Sequence, residues 1–412
     1  MNKSILLFSF LVGISALGAT SSDWSQFRGS MGQGHSAAKN LPLRWSADEN
    51  VAWKKELPGT AWSSPVLANG KLYLTNAVPS GEGFSLRALR LDADTAKVEW
   101  DAELFRMETS PRIHRKNSYA SPTPFLEEDR LYVHFGNQGT ACLDLNGKII
   151  WKKRYDYPPV HGSGCSPVIE GDLLLFSADG ASSPALYALD KKTGDVRWKA
   201  ARESAAKRKF SFSTPLVITV KGQRQIVSPA SDYVFAYDLT GRQLWKLNYP
   251  GGYSVVPRPV YAHGLVYVSS GFDRPVIHAI RPDGAGDVTR SHLIWKTDKN
   301  GPRNSSVLVV GDLFFMTADN GVVSCLDART GDLRWRERVS GACSSSLLHA
   351  ADRVYLIDEQ GKTFVFAAAP KYKLLATNDL ADRALASFAA TDGALFIRTA
   401  SALWRIGKSS PR

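Results

Sequence analysis

The stretch that decides the fold is Ala188-Leu-Asp190-Lys-Lys-Thr193-Gly194-Asp-Val-Arg-Trp198, which returns as Cys325-Leu-Asp327-Ala-Arg-Thr330-Gly331-Asp-Leu-Arg-Trp335. Each copy holds a turn with glycine between two β-prone segments, which is the pattern of a hairpin. Tryptophan recurs along the chain at intervals of 40 to 51 residues. Such a regular spacing indicates a repeat architecture. The repeated tryptophans are Trp53, Trp100, Trp151, Trp198, Trp245, Trp295 and Trp335.

A second marker recurs in phase with the tryptophans, usually a hydroxyl residue followed by proline. Its copies are Ser64, Ser121, Ser166, Thr214, Arg258, Ser306, Ser346 and Ser387. Eight markers indicate eight units, and each unit contains four strand-like segments separated by Gly/Asp turns. Four-stranded units repeated in this way close into a β-propeller, which protects the sheet edges. We therefore predict a single all-β domain, an eight-bladed propeller of four-stranded blades.

The two ends of the repeat region indicate how the ring closes. The last unit has only three strand candidates, at 385–390, 394–399 and 402–406. Its missing outer strand is supplied by residues 50–57, which surround Trp53. An open solenoid is the alternative, but a strand deficit at one end and a surplus at the other argue against it. The predicted divisions are a signal peptide at 1–19, an N-terminal extension at 20–49 and the propeller at 50–412.

The first 19 residues have the features of a secretory signal peptide. Lys3 supplies the positive charge, an apolar run follows at 5–16, and small residues near Gly18 permit cleavage. The run is too short to cross a bilayer, and a hydrophobic N-terminus of a cytosolic protein is the alternative. We expect a secreted or periplasmic protein without a transmembrane segment. The first cysteine is Cys142, so we expect no lipid anchor either.

The composition restricts the class of protein and of partner. With 44% apolar and 22% charged residues among 412, the chain can build a core, which excludes a disordered protein or a disulfide-dense miniature. The net charge of +12 favours anionic partners, although plain solubility explains it equally well. We expect no nucleic-acid partner, because no basic helix or strand stripe is present. The oligomeric state stays open, with a monomer expected.

The repeat resembles a known family. The two quoted copies resemble the tryptophan-docking motif of the pyrroloquinoline-quinone (PQQ) propeller repeat, in which the tryptophan packs on a small residue of the neighbouring blade. The stretch Asp23-Trp24-Ser-Gln26-Phe27-Arg28-Gly29 resembles secreted bacterial PQQ-like propellers that are grouped with the assembly factor BamB. The resemblance implies the propeller architecture. It does not bring the role of BamB to this chain, since BamB is a lipoprotein.

Cofactor binding is a separate question, because fold does not determine function. Quinoprotein alcohol dehydrogenases also resemble this repeat; they carry adjacent bridged cysteines over the quinone and hold calcium with a carboxylate and an amide. This chain has no Cys-Cys pair, no haem-attachment motif and no carboxylates with calcium-loop spacing. We therefore expect no cofactor, with PQQ and Ca²⁺ as the alternative, and we lean against an enzyme.

The candidate ligand site is the channel mouth, where the loops entering the innermost strands gather. These loops carry cationic, amide and aromatic residues, and the loops between second and third strands add Asn137, Gln138, Asp179, Asp232, Asp273, Asp319, Asn320 and Asp358. Turn capping is the simpler explanation for any single aspartate. The candidate binding residues are Arg112, His114, Asn117, Tyr119, His161, Ser163, Tyr253, Arg258, Arg303 and Asn304. They predict a scaffold for a peptide, a protein or an anionic or polyhydroxylated envelope polymer.

The rival prediction is an enzyme, either a degenerate PQQ-dependent oxidoreductase or a hydrolase or lyase that uses the channel-mouth residues. His161-Gly-Ser163-Gly allows a His/Ser pair, but no third, orienting group is evident and a tight loop explains the glycines. We assign no catalytic residue and no metal ligand.

The four cysteines also leave two possibilities. Disulfides Cys142–Cys165 and Cys325–Cys343 would be compatible with an exported protein. Four small buried thiols are slightly preferred, because alanine fills the equivalent repeat position elsewhere.

Overall fold

The computed structural model describes residues 23–407, so the predicted signal peptide lies outside the described residues. Eight sheets contain the strands of this part of the chain, one sheet for each predicted repeat, and their strands are antiparallel except for one short parallel pair in the fourth. The one short helix among these residues is a 3-10 turn at Gly136–Gln138. The prediction of an eight-bladed β-propeller is confirmed.

Each blade runs from an innermost strand at the central channel to an outermost strand at the rim. Blade 1 comprises Val66–Ala68, Lys71–Ser80, Gly83–Asp92 and Val98–Met107; blade 2, Phe125–Leu126, Arg130–His134, Thr140–Asp144 and Ile149–Lys153. Blade 3 comprises Val168–Glu170, Leu173–Ala178, Ala185–Asp190 and Val196–Ala201; blade 4, Leu216–Val220, Gln223–Pro229, Tyr233–Tyr237 and Gln243–Asn248.

The second half of the ring has the same plan. Blade 5 comprises Val260–Ala262, Leu265–Ser269, Ile277–Ile280 and Leu293–Thr297; blade 6, Leu308–Val310, Leu313–Thr317, Val322–Asp327 and Leu333–Arg338. Blade 7 comprises Leu348–Ala350, Arg353–Ile357, Lys362–Ala367 and Leu374–Asp379; blade 8, Ala389–Thr391, Ala394–Arg398, Ala402–Ile406 and the N-terminal strand Val51–Glu56.

Blade 8 closes the ring in the predicted way. The strand Val51–Glu56 pairs antiparallel with Ala402–Ile406, so both ends of the propeller share one sheet. Trp53 on this strand donates its indole N–H to the carbonyl of Ala93 in blade 1, at 3.0 Å. The first and last blades are therefore joined by backbone pairing and by a docked side chain.

Tryptophan docking joins the other blades through the hairpin turn of the following unit. Trp198 donates its Nε1–H to the carbonyl of Leu239 at 2.9 Å, and its ring covers Gly241. Gly241 has φ +86°, and an added Cβ would lie 2.7 Å from the indole, so this turn accepts glycine only. Six of the seven predicted tryptophans, all except Trp245, donate to a carbonyl of the next blade in this way.

Trp245 is the exception, and the insertion in blade 5 is the reason. Its indole is fully buried and donates to Gln225 Oε1 within its own blade, at 2.9 Å. The two-residue strand Gly286–Asp287 from the insertion pairs parallel with the Trp245 strand and gives this sheet a fifth member. Blade 4 is thus extended beyond the four predicted strands.

Six hydrogen bonds connect the markers of neighbouring blades around the channel, in two runs of three. The backbone N–H of Ser64 donates to Thr123 Oγ1, that of Thr123 to Ser166 Oγ, and that of Ser166 to Thr214 Oγ1, at 2.9 to 3.0 Å. The same contact links Arg258 to Ser306, Ser306 to Ser346, and Ser346 to Ser387. The marker of blade 2 is therefore Thr123, and its prediction at Ser121 was two residues early because both precede a proline.

The N-terminal extension crosses the lower end of the channel, opposite the loops that enter the innermost strands. Trp24 pairs with Leu67 in blade 1, Ser25 O accepts from Leu126 N in blade 2, and Gly34 O accepts from His349 N in blade 7. Residues 23–35 therefore tie opposite sides of the ring together and plug its lower end.

We predict that Thr123→Val lowers the stability of the propeller by about 1–3 kcal/mol, because the buried N–H of Ser64 loses its acceptor while the side-chain volume hardly changes. The measurement is the free energy of unfolding from urea denaturation. Thr123→Ser keeps the hydroxyl and should stay within about 1 kcal/mol of the wild type. Equal losses in both variants would contradict the role given to this hydrogen bond.

Candidate functional site

The upper mouth of the channel opens into a pocket of about 680 Å³. Its wall consists of two layers. The lower layer is formed by the hydroxyl markers and the upper layer by the residues two positions before them, since alternate residues of an extended strand point to the same side. The upper layer comprises Trp62, Ser121, Gly164, Phe212, Val256, Asn304, Ser344 and Leu385. Phe27 of the N-terminal plug also lines the pocket. The site is thus a funnel, closed below by the plug and open above.

One side of the funnel carries an arc of aromatic rings. His161 packs edge-on against Phe210, with ring centroids 5.3 Å apart, and Phe210 packs in the same way against Tyr253, at 5.6 Å. Tyr253 continues the arc to Phe272, at 6.1 Å. These rings come from loops of successive blades and give the pocket an extended apolar wall.

Two guanidinium groups cover the arc. Arg208 lies 4.5 Å from the ring centroid of Tyr253, and Arg303 lies 4.9 Å from that of Phe272. Tyr253 Oη donates to Asp273 Oδ2 at 2.9 Å, and this carboxylate also pairs with Arg208 at 3.4 Å. Cations stacked on aromatic faces keep their outer edges available to a ligand anion.

The loop between blades 1 and 2 crosses the mouth as a strap, defined here as residues 108–120. Lys116 at its centre forms an ion pair with Glu359 of blade 7, at 2.6 Å. Arg383 of blade 8 lies over Trp62, with its guanidinium 5.5 Å from the ring centroid. Asn117 braces the base of the strap by donating to His161 O at 2.8 Å. The long loop that the sequence singled out is therefore a bridge over the funnel.

The charge of the funnel wall is predominantly positive. Arg115, Lys116, Arg208 and Arg303 line it together with the carboxylate of Asp319. Since Glu359 and Asp273 pair with Lys116 and Arg208, the excess positive charge comes from Arg115 and Arg303. Burial, and then the neighbouring His161 and the strap cations, lower the pKa of His114, so its ring is neutral at pH 7. A net positive concave surface concentrates anionic ligands.

The structure brings six of the ten predicted binding residues into the funnel: His114, Asn117, His161, Tyr253, Arg303 and Asn304. The other four lie elsewhere, for identifiable reasons. Arg112 is exposed at the outer end of the strap, and Tyr119 packs on Phe84 and donates to Pro111 O. Ser163 faces Gly136, away from the rings that contact His161, so no His/Ser pair forms. Arg258 lies below, bonded to the plug.

Most of the predicted acidic set caps turns or forms internal pairs. Asp358 Oδ1 accepts from Gln360 N and Lys362 N, as in ordinary turn capping. Asp179 is fully buried against Arg202, 3.2 Å away, and burial raises the pKa of this aspartate to about 7. Only Asp319 of this set lines the funnel, where it accepts from Asn304 Nδ2 at 2.5 Å.

The four cysteines are free and buried in the structure, so neither Cys142–Cys165 nor Cys325–Cys343 is bridged. Burial raises the thiol pKa of each of them to between about 11 and about 12. They are protonated, poorly nucleophilic side chains that fill the spaces between strands.

The funnel contains one carboxylate beside one amide, Asp319 and Asn304, and their mutual hydrogen bond would have to break before both could hold calcium. Asp319 is already engaged by Asn304 and by the backbone N–H of Arg303 at 3.0 Å. Within residues 23–407, no three His, Cys, Asp or Glu side chains are grouped so that they could hold a metal ion. The expectation that the protein binds no quinone stays a prediction.

Some important funnel residues were missed by sequence reasoning, notably Trp62, Phe210, Phe272 and Phe27. A usable signal existed for Trp62, which lies two positions before its marker, as do the other members of the upper layer. Phe210 extends that alternation by one more step before Thr214. Phe272 and Phe27 lie outside this register, and only the folded ring brings them to the site.

We predict that Lys116→Met releases the strap. Loss of the ion pair with Glu359 removes about 1 kcal/mol, which raises the open population about fivefold. The rate of tryptic cleavage after Arg112 and Arg115, followed by mass spectrometry under native conditions, measures this. Lys148→Met, an exposed change on a hairpin turn of blade 2, should leave the rate unchanged. An unchanged rate in Lys116→Met would show that the strap is held by other contacts.

Comparison with known proteins finds two kinds of relative, BamB proteins and a dehydrogenase. BamB from Yersinia pestis is 22% identical over 363 residues, which cover 82% of this chain and 76% of that protein. A polyvinylalcohol dehydrogenase from Pseudomonas sp is 38% identical over 63 residues, but these span only 10% of its length. The crystal structure of BamB from Moraxella catarrhalis matches with a TM-score of 0.63 and 12% identity, over 88% of this chain and 98% of that one.

In the described part of the chain, no helix has the length and apolar character needed to cross a membrane. The structural match establishes the fold alone, at this level of identity. The family model described as outer membrane protein assembly factor BamB matches residues 40–152, 101–282 and 284–405. These segments cover most of the sequence, and the chain therefore belongs to this family of PQQ-like propellers.

Proposed function

We propose that this protein is an exported binding scaffold whose funnel holds an acidic segment of a peptide or protein partner, without a bound quinone. The observation that carries the proposal is the aromatic arc His161–Phe210–Tyr253–Phe272 with Arg208 and Arg303 stacked on it. An acidic side chain can pair with a guanidinium there while a neighbouring apolar side chain packs on a ring. Family membership supports a scaffold, since the name of the family describes an assembly factor.

The shape of the site favours an extended ligand. The arc follows the loops of blades 3 to 5, so its rings succeed one another along the rim rather than enclosing one point. The plug closes the channel below Phe27, which leaves the upper mouth as the way in. A segment of a few residues could lie along the arc and pass beneath the strap.

The charge pattern favours carboxylates over neutral polar groups. Four cations line the wall, of which Lys116 and Arg208 are paired with Glu359 and Asp273, so within the described chain Arg115 and Arg303 are the cations without a salt bridge. Asp319, the carboxylate of the wall, is occupied by Asn304. Charge-assisted hydrogen bonds to guanidinium groups are about twice as strong as neutral ones. A peptide that alternates acidic and aromatic residues satisfies both features of the wall.

The test uses a fluorescein-labelled pentapeptide, Asp-Phe-Glu-Tyr-Asp, titrated with the mature chain by fluorescence anisotropy. We expect Arg303→Met to weaken binding about tenfold, equivalent to about 1.4 kcal/mol, because the peptide loses one charge-assisted contact. Arg290→Met is the matched control, since Arg290 is an exposed arginine on the insertion of blade 5, away from the funnel.

Two further probes separate the alternatives. The Asn/Gln analogue of the peptide should bind at least tenfold more weakly, and equal binding would contradict the charge argument. Hexagalacturonate tests the polymer alternative, and tighter binding of this sugar than of the peptide would replace the peptide by an anionic polysaccharide. Failure of both probes at millimolar concentration would remove the funnel as a binding site for either class.

An oxidoreductase is the second candidate, favoured by the 38% identity to a polyvinylalcohol dehydrogenase over 63 residues. Titration with PQQ and Ca²⁺, followed by absorbance and thermal melting, tests it. A ligand of the folded state raises the melting temperature by mass action. We expect no saturable shift, because the one carboxylate of the funnel wall, Asp319, is already engaged by Asn304 and by the backbone N–H of Arg303; a saturable shift with a bound-quinone spectrum would overturn the scaffold proposal.

A further inference from the structure

Two buried arginines lie near each other at the channel floor, and within residues 23–407 no carboxylate bonds to either. Arg28 of the plug is 2% exposed and Arg258 of blade 5 is 3% exposed. Arg28 donates to two backbone carbonyls, Gln33 O at 3.1 Å and Val307 O at 2.6 Å. Arg258 donates to Pro215 O, Gln26 Oε1 and Phe27 O, at 2.8 to 3.2 Å. All five acceptors are neutral oxygens.

Arg28 also has buried donors that nothing accepts. Its Nε and Nη1 atoms are buried and have no hydrogen-bond partner. A buried charge costs several kcal/mol unless it is paired, and an unsatisfied buried donor adds to that cost. Burial, and then the nearby Arg258, lower the pKa of Arg28 to about 9, which leaves it charged at pH 7. The floor therefore holds two positive charges, which a bound negative charge would stabilise.

The surrounding backbone is shaped to hold both guanidinium groups. A Cβ on Gly32 would lie 2.2 Å from Arg258 Nη1, and a Cβ on Gly34 would lie 2.6 Å from Arg28 Nη2. Both glycines have positive φ, +67° and +83°, so the plug folds around the two side chains in a way that other residues would not permit. Arg258 is also the one marker without a hydroxyl, so the ring of markers is interrupted where these charges meet.

We propose that Arg28 and Arg258 form a buried site for a small monovalent anion such as chloride, held at the channel floor by one of the two orphaned N–H groups of Arg28, that of Nε or that of Nη1. The anion compensates the two charges and accepts from that donor. It thereby fixes the plug to blades 5 and 6 and completes the floor beneath Phe27. This inference is independent of the ligand that the funnel binds.

The first test is the thermal melting of the wild-type chain in sodium chloride against sodium gluconate, at constant ionic strength. Because a ligand bound only by the folded state stabilises it, we expect chloride to raise the melting temperature saturably by about 3 °C. Gluconate, which is too large for the site, should have no such effect. Equal melting curves in the two salts would overturn the proposal.

Arg28→Met should abolish the chloride dependence even where its own melting temperature is lower. Arg405→Met is the matched control, because Arg405 is a buried arginine that pairs with the carboxylate of Asp94 and should keep the full chloride shift. A chloride shift that survives in Arg28→Met would place the effect at the surface and overturn the proposal.

Bromide provides a readout that needs no variant. Wild-type crystals grown in sodium bromide should give an anomalous peak within about 3.5 Å of one of the two orphaned donor atoms of Arg28, Nε or Nη1. Ordered water at this position, without an anomalous signal, would show that the donors are solvated and would overturn the anion site.

Discussion

The structure depends on hydrogen bonds from the backbone N–H of one marker to the hydroxyl of the next, which link six of the eight pairs of neighbouring blades. These bonds run along the innermost strands, which are only two to five residues long and have little pairing of their own to hold them in register. Each bond is worth about 1 kcal/mol, but its larger effect is geometric. It sets the height of each linked blade relative to its neighbour and so determines which residues of the entering loop reach the channel.

At the rim, neighbouring blades are joined by a different contact. Tryptophan rings cover the turn glycines of the following blades, and their indole N–H groups donate to carbonyls there. Where blade 7 lacks a tryptophan, the N-terminal extension takes its place: Asn378 on its outermost strand bonds to Leu43 O and Trp45 N. One segment of the chain thus fills the missing rim contact and also plugs the channel.

The sequence alone predicted the architecture because the residues that define the repeat act through local contacts. Turn glycines, docking tryptophans and hydroxyl markers each predict their own contacts, and the strand deficit at the C-terminus predicts the closure by residues 50–57. The location of a side chain was harder to predict where the residue contacts a part of the chain that is distant in sequence. Arg258 was placed at the mouth because it occupies a marker position, yet its guanidinium bonds to a plug more than 200 residues away in sequence. Likewise, the partner of Lys116, Glu359, belongs to a blade on the other side of the mouth.

Of the two layers of the channel wall, the marker layer stabilises the fold and the upper layer is available for ligand binding. The marker layer must keep its hydroxyls, since their loss leaves backbone N–H groups unsatisfied. The layer above is free of this constraint, and it varies from tryptophan and phenylalanine to glycine, serine and asparagine around the ring. A propeller of this kind can therefore change its ligand by substitution in that layer and in the entering loops without disturbing closure. This is a physical reason why assembly factors and dehydrogenases can share one repeat, and why the ligand has to be argued from the funnel rather than from the fold.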